Sequence, residues 1–111
     1  NTAADGKQGV MLLFTTEGCS YCDLFIRTSL ADPALAARVQ ANFSAIGLEI
    51  FDDTDMIAQD GTEIAIKTFA DEQGAEFAPT LLFYANDGSR ILRMVGYQDP
   101  ERFGQILDYL I

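Results

Sequence analysis

The chain contains no histidine and no tryptophan, and only two cysteines among its 111 residues. Without histidine, Ser-His-Asp and Cys-His catalysis and His-ligated zinc or copper sites are excluded. Two cysteines are also too few for a zinc site with four thiolate ligands. These absences leave the two thiols as the first candidates for reactive groups.

Positive charge is also scarce, with 7 Lys and Arg against 17 Asp and Glu, a net charge of −10. Phosphate binding needs clustered Lys and Arg, so this charge argues against nucleic acid as a partner. Acidic character keeps a protein soluble and favours docking on neutral or basic surfaces. No apolar run approaches the roughly 20 residues that span a bilayer. The length predicts a single domain over residues 1–111, and we expect a monomer.

The two cysteines form a C-x-x-C motif, Cys19 and Cys22, which follows the apolar run 10–14. A strand, a short turn and a helix whose first turn holds C-x-x-C are typical of a thiol–disulfide site. A structural disulfide that closes so short a loop would remove little chain entropy. We therefore interpret the pair as a reactive dithiol: Cys19 at the helix start is the nucleophile, and the more buried Cys22 is the resolving cysteine.

Hydrophobic periodicity predicts four strands and four helices. The run 10–15 is a buried strand, residues 43–51 alternate with period two, and residues 81–84 and 90–95 form a hairpin. Helices are expected over about 19–30, from Asp32-Pro33 to about Ala41, from Thr62 to about Gln73, and from Asp99-Pro100 onward. An acidic loop is expected over 52–61. Right-handed crossovers then place the first three strands parallel in a mixed α/β sheet with helices on both faces, the dithiol at its carboxyl end.

Pro79 opens the third strand, at a position where it need not donate to the ladder. One interpretation is a simple edge proline. The functional interpretation is a cis proline beside the dithiol, where the backbone of Ala78 can pair with an extended substrate strand.

The charges next to the motif predict the direction of electron transfer. Glu17 and Asp23 flank the cysteines, and no Lys or Arg lies close in sequence. A thiolate without a nearby cation lacks the stabilisation that makes a dithiol strongly oxidising. We therefore predict a reductant, with a potential below about −170 mV.

Several motifs together resemble thioredoxin-fold proteins over nearly the whole chain. The finer resemblance is to the SoxW-type periplasmic thioredoxins associated with bacterial sulfur-oxidation systems. The superfamily motifs are Gly18–Cys22, Phe77–Tyr84, Asn86–Arg90 and Val95–Phe103. The finer ones are Asp32-Pro33, Asp60-Gly61, Gly96-Tyr97, Phe103 and Leu107–Tyr109.

The resemblance implies an exported thiol:disulfide oxidoreductase with a thioredoxin fold and a four-stranded mixed sheet. The protein would act in the periplasm rather than the cytoplasm, its signal peptide already removed. It would be recharged by a membrane thiol-transport reductase and would reduce a partner protein, such as a sulfur-oxidation carrier protein. Its only redox group is the Cys19–Cys22 pair, with no metal. The expected docking residues are Gly18, Ser20, Tyr21, Ala78, Pro79 and Gly96.

The chain departs from the thioredoxin pattern in three places. Gly18 stands where Trp is usual, and Ser20-Tyr21 replaces Gly-Pro. Leu13 aligns with the buried Asp that helps to deprotonate the resolving cysteine, so the proton must use another group or water. Glu49, late on the second strand, is a candidate relay, although an exposed or paired glutamate is the ordinary alternative.

Other functions remain open at this stage. A glutaredoxin-like enzyme is one, although the sequence lacks a basic residue before the motif and a Gly-Gly-Asp at the last helix. Another is a copper carrier that binds Cu(I) through both thiolates and one methionine, Met11, Met56 or Met94. An oxidase or isomerase is a third, and the redox potential would separate it from a reductase.

Overall fold

A computed structural model describes residues 7–57, 61–75 and 77–111. Residues 1–6 of the predicted domain, Asp60 of the sequence resemblance and part of the predicted acidic loop lie outside these residues. The elements in chain order are β1 (Gly9–Thr15), α1 (Ser20–Phe25), a π-helical turn (Ile26–Leu30), α2 (Pro33–Asn42), β2 (Phe43–Glu49), β3 (Asp55–Ile57), β4 (Glu63–Ala65), α3 (Ile66–Glu72), β5 (Thr80–Ala85), β6 (Arg90–Val95) and α4 (Pro100–Leu110).

Four strands form one mixed sheet in the order β2-β1-β5-β6. The parallel pairing of β1 with β2 and the antiparallel β5–β6 hairpin agree with the sequence prediction. The predicted parallel orientation of the third strand is wrong, because β5 runs antiparallel to β1.

The direction of β5 follows from the segment that precedes it. Gln73, just after α3, accepts one hydrogen bond from the hydroxyl of Tyr84 and another from Arg90. Tyr84 of β5 and Arg90 of β6 pair with each other at the end of the sheet where β1 begins. Pro79 lies at the opposite end, where its carbonyl accepts a hydrogen bond from Gly96. The chain between α3 and β5 therefore runs back along the sheet before the strand begins.

The third helix starts later than predicted. Residues 63–65 pair with residues 55–57 as a short antiparallel ladder, and α3 begins only at Ile66. Gly74, with φ of 78°, ends the helix as the sequence predicts, because glycine adopts this conformation without steric cost.

The sheet carries a hydrophobic core on each face, because successive side chains of β1 and β5 point to opposite sides. Residues of α1, α2 and α4 cover one face, and α3 covers the other. The two sets of buried residues are Met11, Leu13, Phe25, Leu35, Val39, Phe43, Leu81, Phe83, Phe103, Ile106 and Leu107 on the first face, and Leu12, Phe14, Ile50, Ala70, Ala75, Leu82 and Tyr84 on the second.

The two helices with Asp-Pro starts begin as predicted. The carboxylate of Asp32 accepts hydrogen bonds from the N–H groups of Ala34 and Leu35, and that of Asp99 accepts one from Arg102. Each cap satisfies N–H groups that have no partner inside the helix. Among the described residues, no helix is long and apolar enough to cross a membrane.

Candidate active site

The strand register brings several chain segments together at one end of the sheet. Thr15 at the end of β1 pairs with Glu49 at the end of β2. Thr80 at the start of β5 pairs with Phe14 on one side and with Val95 at the end of β6 on the other. Three segments therefore start or end at this same end of the sheet, namely those that contain the dithiol, Pro79 and Gly96.

The two cysteines lie at the start of α1 and are joined by a disulfide, with 5.3 Å between their Cα atoms. Cys19 is the N-cap residue, and its sulfur accepts a hydrogen bond of 3.1 Å from the N–H of Cys22. Cys19 is half-buried, whereas Cys22 is only 2% exposed. An incoming group can therefore reach Cys19 but not Cys22.

The same hydrogen bond favours a thiolate when the pair is reduced. A backbone N–H aimed at a sulfur at a helix start stabilises negative charge on that sulfur. The thiolate is the nucleophile in disulfide exchange. The arrangement can thus attack a disulfide through Cys19 and resolve the mixed disulfide through Cys22.

Glu49 fastens the loop before the motif to the end of β2. Its carboxylate oxygens accept hydrogen bonds from the N–H of Glu17 at 2.8 Å and from the N–H of Phe51 at 2.6 Å. The N–H of Phe51, with further help from Glu17 and the Thr16 side chain, holds the pKa of Glu49 below its ordinary value. The contacts place Glu49 as an ionised clamp on this loop, and its role as a proton relay for Cys22 stays a prediction.

Leu13 is 5% exposed and belongs to the core that α1 covers. An apolar side chain at this position can neither accept nor supply a proton. The chemistry of Cys22 therefore depends on a group other than the residue at this point of β1.

The chain before β5 reaches the same end of the sheet as the dithiol. The Ala78–Pro79 peptide bond is cis. The carbonyl of Pro79 accepts a hydrogen bond of 2.8 Å from the N–H of Gly96, and the hydroxyl of Thr80 donates one of 2.5 Å to the carbonyl of Phe77. These two bonds use the carbonyl groups on either side of Ala78.

Glycine is needed at two of the predicted site positions for its backbone conformation. Gly18 has φ of 79° and Gly96 has φ of 95°, both in the left-handed region, and no heavy atom outside the neighbouring residues lies within 4 Å of a Cβ built there. Space would allow a side chain at either position, but the backbone conformation disfavours one. Ser20 and Tyr21 between the cysteines are both exposed, so they are available to a docking partner.

The side chains that hold the loop 96–98 are not predicted from the sequence. Ser29 in the π-helical turn is fully buried and donates a hydrogen bond of 2.7 Å to the carbonyl of Gln98. The hydroxyls of Thr28 and Tyr97 lie 3.0 Å apart. No sequence pattern marks the π turn, and Gly96-Tyr97 is the predicted motif in this loop.

Two of the three methionines, Met11 and Met94, belong to the core that α1, α2 and α4 cover. Met11 is 1% exposed, Met94 packs against the same core, and Met56 lies on β3. Within the described residues there is no group of three or more Cys, Asp or Glu side chains that could hold a metal ion.

The fold and the dithiol together define a thioredoxin-fold protein. The family model for the thioredoxin-like domain (Thioredoxin_2) matches residues 1–111, and the chain belongs to this family. No curated protein sequence matches the chain.

Solved structures confirm the fold. A thioredoxin-fold protein from Helicobacter pylori is similar with a TM-score of 0.84 and 20% identity, over 95% of this chain and 70% of that chain. The C-terminal domain of DsbD from Neisseria meningitidis, in the reduced form, has a TM-score of 0.69 and 19% identity, over 97% and 87%. A disulphide isomerase from Xylella fastidiosa has a TM-score of 0.69 and 12% identity, over 98% and 84%.

Proposed function

We propose that the protein is a thiol:disulfide oxidoreductase that reduces disulfides of partner proteins. The observation that supports this most directly is the asymmetry of the pair. Cys19 is accessible and accepts a backbone hydrogen bond at its sulfur, while Cys22 is buried one helical turn behind it. Attack and resolution need these two different environments.

The reaction transfers two electrons and two protons to the substrate. The Cys19 thiolate attacks one sulfur of the substrate disulfide, the substrate S–S bond breaks, and the leaving thiolate takes up a proton. Cys22 then loses its proton and attacks the Cys19 sulfur of the mixed disulfide. The second substrate thiolate leaves and is protonated, and the Cys19–Cys22 disulfide forms. A dithiol donor must reduce this disulfide again before the next cycle.

The backbone around Ala78 and Pro79 suits the binding of an extended substrate segment. The hydrogen bonds of the Pro79 loop, within the described residues, go to Phe77 and Pro79 and leave the Ala78 backbone for a strand of the substrate. Gly18, Ser20, Tyr21 and Gly96 complete the proposed docking surface.

The cellular setting is a finer part of the proposal, and it rests on the SoxW-type sequence resemblance. On that basis the protein is a monomeric periplasmic reductase. A membrane thiol-transport protein supplies its electrons, and a protein of sulfur oxidation is its substrate.

Trapping partners with Cys22→Ser tests the function. We expect this variant to accumulate mixed disulfides on Cys19, and the Cys19→Ser variant to accumulate none. The redox potential, measured by equilibration with glutathione, should lie below about −170 mV. A higher value would instead indicate an oxidase or isomerase.

Two further assays separate the remaining alternatives. Turnover with a glutathione mixed disulfide, in the absence of protein-disulfide reduction, would indicate a glutaredoxin-like enzyme. Cu(I) binding by the reduced pair without disulfide reduction would indicate a copper carrier.

A further inference from the structure

The side chain of Tyr97 is held by a hydrogen bond to the π-helical turn. The Thr28 hydroxyl donates a hydrogen bond of 2.7 Å to the carbonyl of Leu24, so its single proton is already used. The Tyr97 hydroxyl, 3.0 Å from the Thr28 oxygen, must therefore donate to it. Tyr97 is half-buried and packs against the core, and this hydrogen bond sets the position of its ring.

The fixed ring lies against a second tyrosine in the reactive motif. The ring centroids of Tyr21 and Tyr97 are 6.4 Å apart, and the ring planes are inclined by 33°. Tyr21 lies between the two cysteines and is 60% exposed. Tyr97 follows Gly96, which is hydrogen-bonded to Pro79. The two rings therefore form an aromatic surface that connects the C-x-x-C motif to the loop 96–98.

The charged side chains nearest in sequence to the two rings are negative, and the cations Arg27 and Arg102 follow further along the chain. Glu17, Asp23 and Asp99 are exposed, and residues 16–25 and 96–99 contain no Lys or Arg. Several cations are engaged elsewhere: Arg38 pairs with Asp108, and Arg90 and Arg93 donate to the carbonyls of Gln73 and Gly74. An exposed and a half-buried tyrosine ring, with carboxylates on the same chain segments, suit a bound cation.

We propose that Tyr21 and Tyr97 form a subsite for a basic side chain next to the attacked cysteine of a substrate protein. This inference rests on the proposed reductase function and adds the class of sequence that the enzyme prefers. Thr28 acts as a positioning residue, because it sets the Tyr97 ring without touching the substrate.

Single-turnover kinetics with the reduced protein test the proposal. Three synthetic peptides, each with one cysteine capped by the same chromogenic thiol, differ only in the residue that follows the cysteine, which is Arg, Leu or Glu. Cys19 attacks the peptide sulfur, the chromogenic thiol leaves, and its release gives the rate. The same peptides with dithiothreitol correct for their intrinsic reactivity.

We expect the Arg peptide to react about fivefold faster than the Leu peptide, the size of an exposed cation–π contact, and the Glu peptide to be slowest. Tyr21→Leu and Tyr97→Leu keep an apolar side chain but remove the π face, so each should bring the Arg and Leu rates together. Tyr109→Leu is the matched control, because Tyr109 is a 77% exposed tyrosine on α4, outside the site, and the preference should persist.

Equal corrected rates for the three wild-type peptides would overturn the subsite and leave the reductase function intact. A preference that survives both leucine substitutions would also overturn it, because the general negative field would then be its cause. Failure to react with any of the peptides would instead contradict the proposed function.

Discussion

Replacing Ser29 with alanine should lower the thermal stability of the protein by a measurable and predictable amount. The Ser29 side chain is fully buried, and its hydroxyl donates a hydrogen bond of 2.7 Å to the backbone carbonyl of Gln98, a residue that is 6% exposed. Alanine removes the donor and leaves a carbonyl in a place with little access to water. The bond connects the π-helical turn to the loop 96–98, so its loss acts directly beside the candidate active site.

The magnitude follows from the cost of an unsatisfied buried acceptor, which is about 1–3 kcal/mol. Unfolding entropy of about 2.1 cal/mol/K per residue gives about 0.23 kcal/mol/K for a chain of 111 residues. The melting temperature should therefore fall by about 4 °C for each kcal/mol, which gives a total decrease of about 4–13 °C.

Differential scanning calorimetry of the oxidised protein measures this decrease. Ser44→Ala is the matched control, because Ser44 is a half-buried serine on the edge strand β2 and should change the melting temperature by no more than about 2 °C. If the Ser29→Ala and Ser44→Ala variants have the same melting temperature, the Ser29 hydroxyl does not hold the loop, and the prediction is wrong.

Three further predictions concern the hydrogen bonds of Glu49, the core and the β1–β5 pairing. Glu49 has a lowered pKa in the folded state, so it stabilises the fold above its ordinary pKa of 4.5, and this contribution disappears as pH falls through the folded value. In urea titrations the stability difference between wild type and Glu49→Gln should therefore be largest at neutral pH and shrink in acid; a constant difference would contradict the clamp. Phe103→Ala should lower the free energy of unfolding by about 3–5 kcal/mol, measured by denaturant unfolding. The reason is that this fully buried ring packs edge-on against Phe25, with 5.1 Å between the ring centroids. A decrease of less than about 1 kcal/mol would contradict that packing. Gly9→Ala should strongly destabilise the fold, because its Cβ would lie 1.9 Å from a backbone oxygen of β5, whereas Gly47→Ala has open space and should be neutral or slightly stabilising; equal melting temperatures would contradict the β1–β5 register.

The sequence predicts the dithiol and most of its frame because these depend on local signals. The continuous apolar run of β1, the Asp32-Pro33 and Asp99-Pro100 helix starts, and the C-x-x-C spacing are all short-range patterns. Each keeps the same local structure in the folded chain.

The errors come from contacts between distant residues. The direction of β5 is set by a return segment that starts near Tyr84 and Arg90 and ends at Pro79, and no local pattern encodes this path. The late start of α3 has a similar cause, because residues 63–65 have partners at 55–57. Helix-start residues such as Thr62 predict a boundary only where no strand partner competes.

Two consecutive side chains of the π-helical turn, Thr28 and Ser29, hold the same loop 96–98. Here the Thr28 hydroxyl meets Tyr97 and the Ser29 hydroxyl meets the carbonyl of Gln98, within the widened turn 26–30. Single π turns are frequent at functional sites. The helical segment that starts at Cys19 thus also holds the loop 96–98, which contains Gly96 of the proposed docking surface.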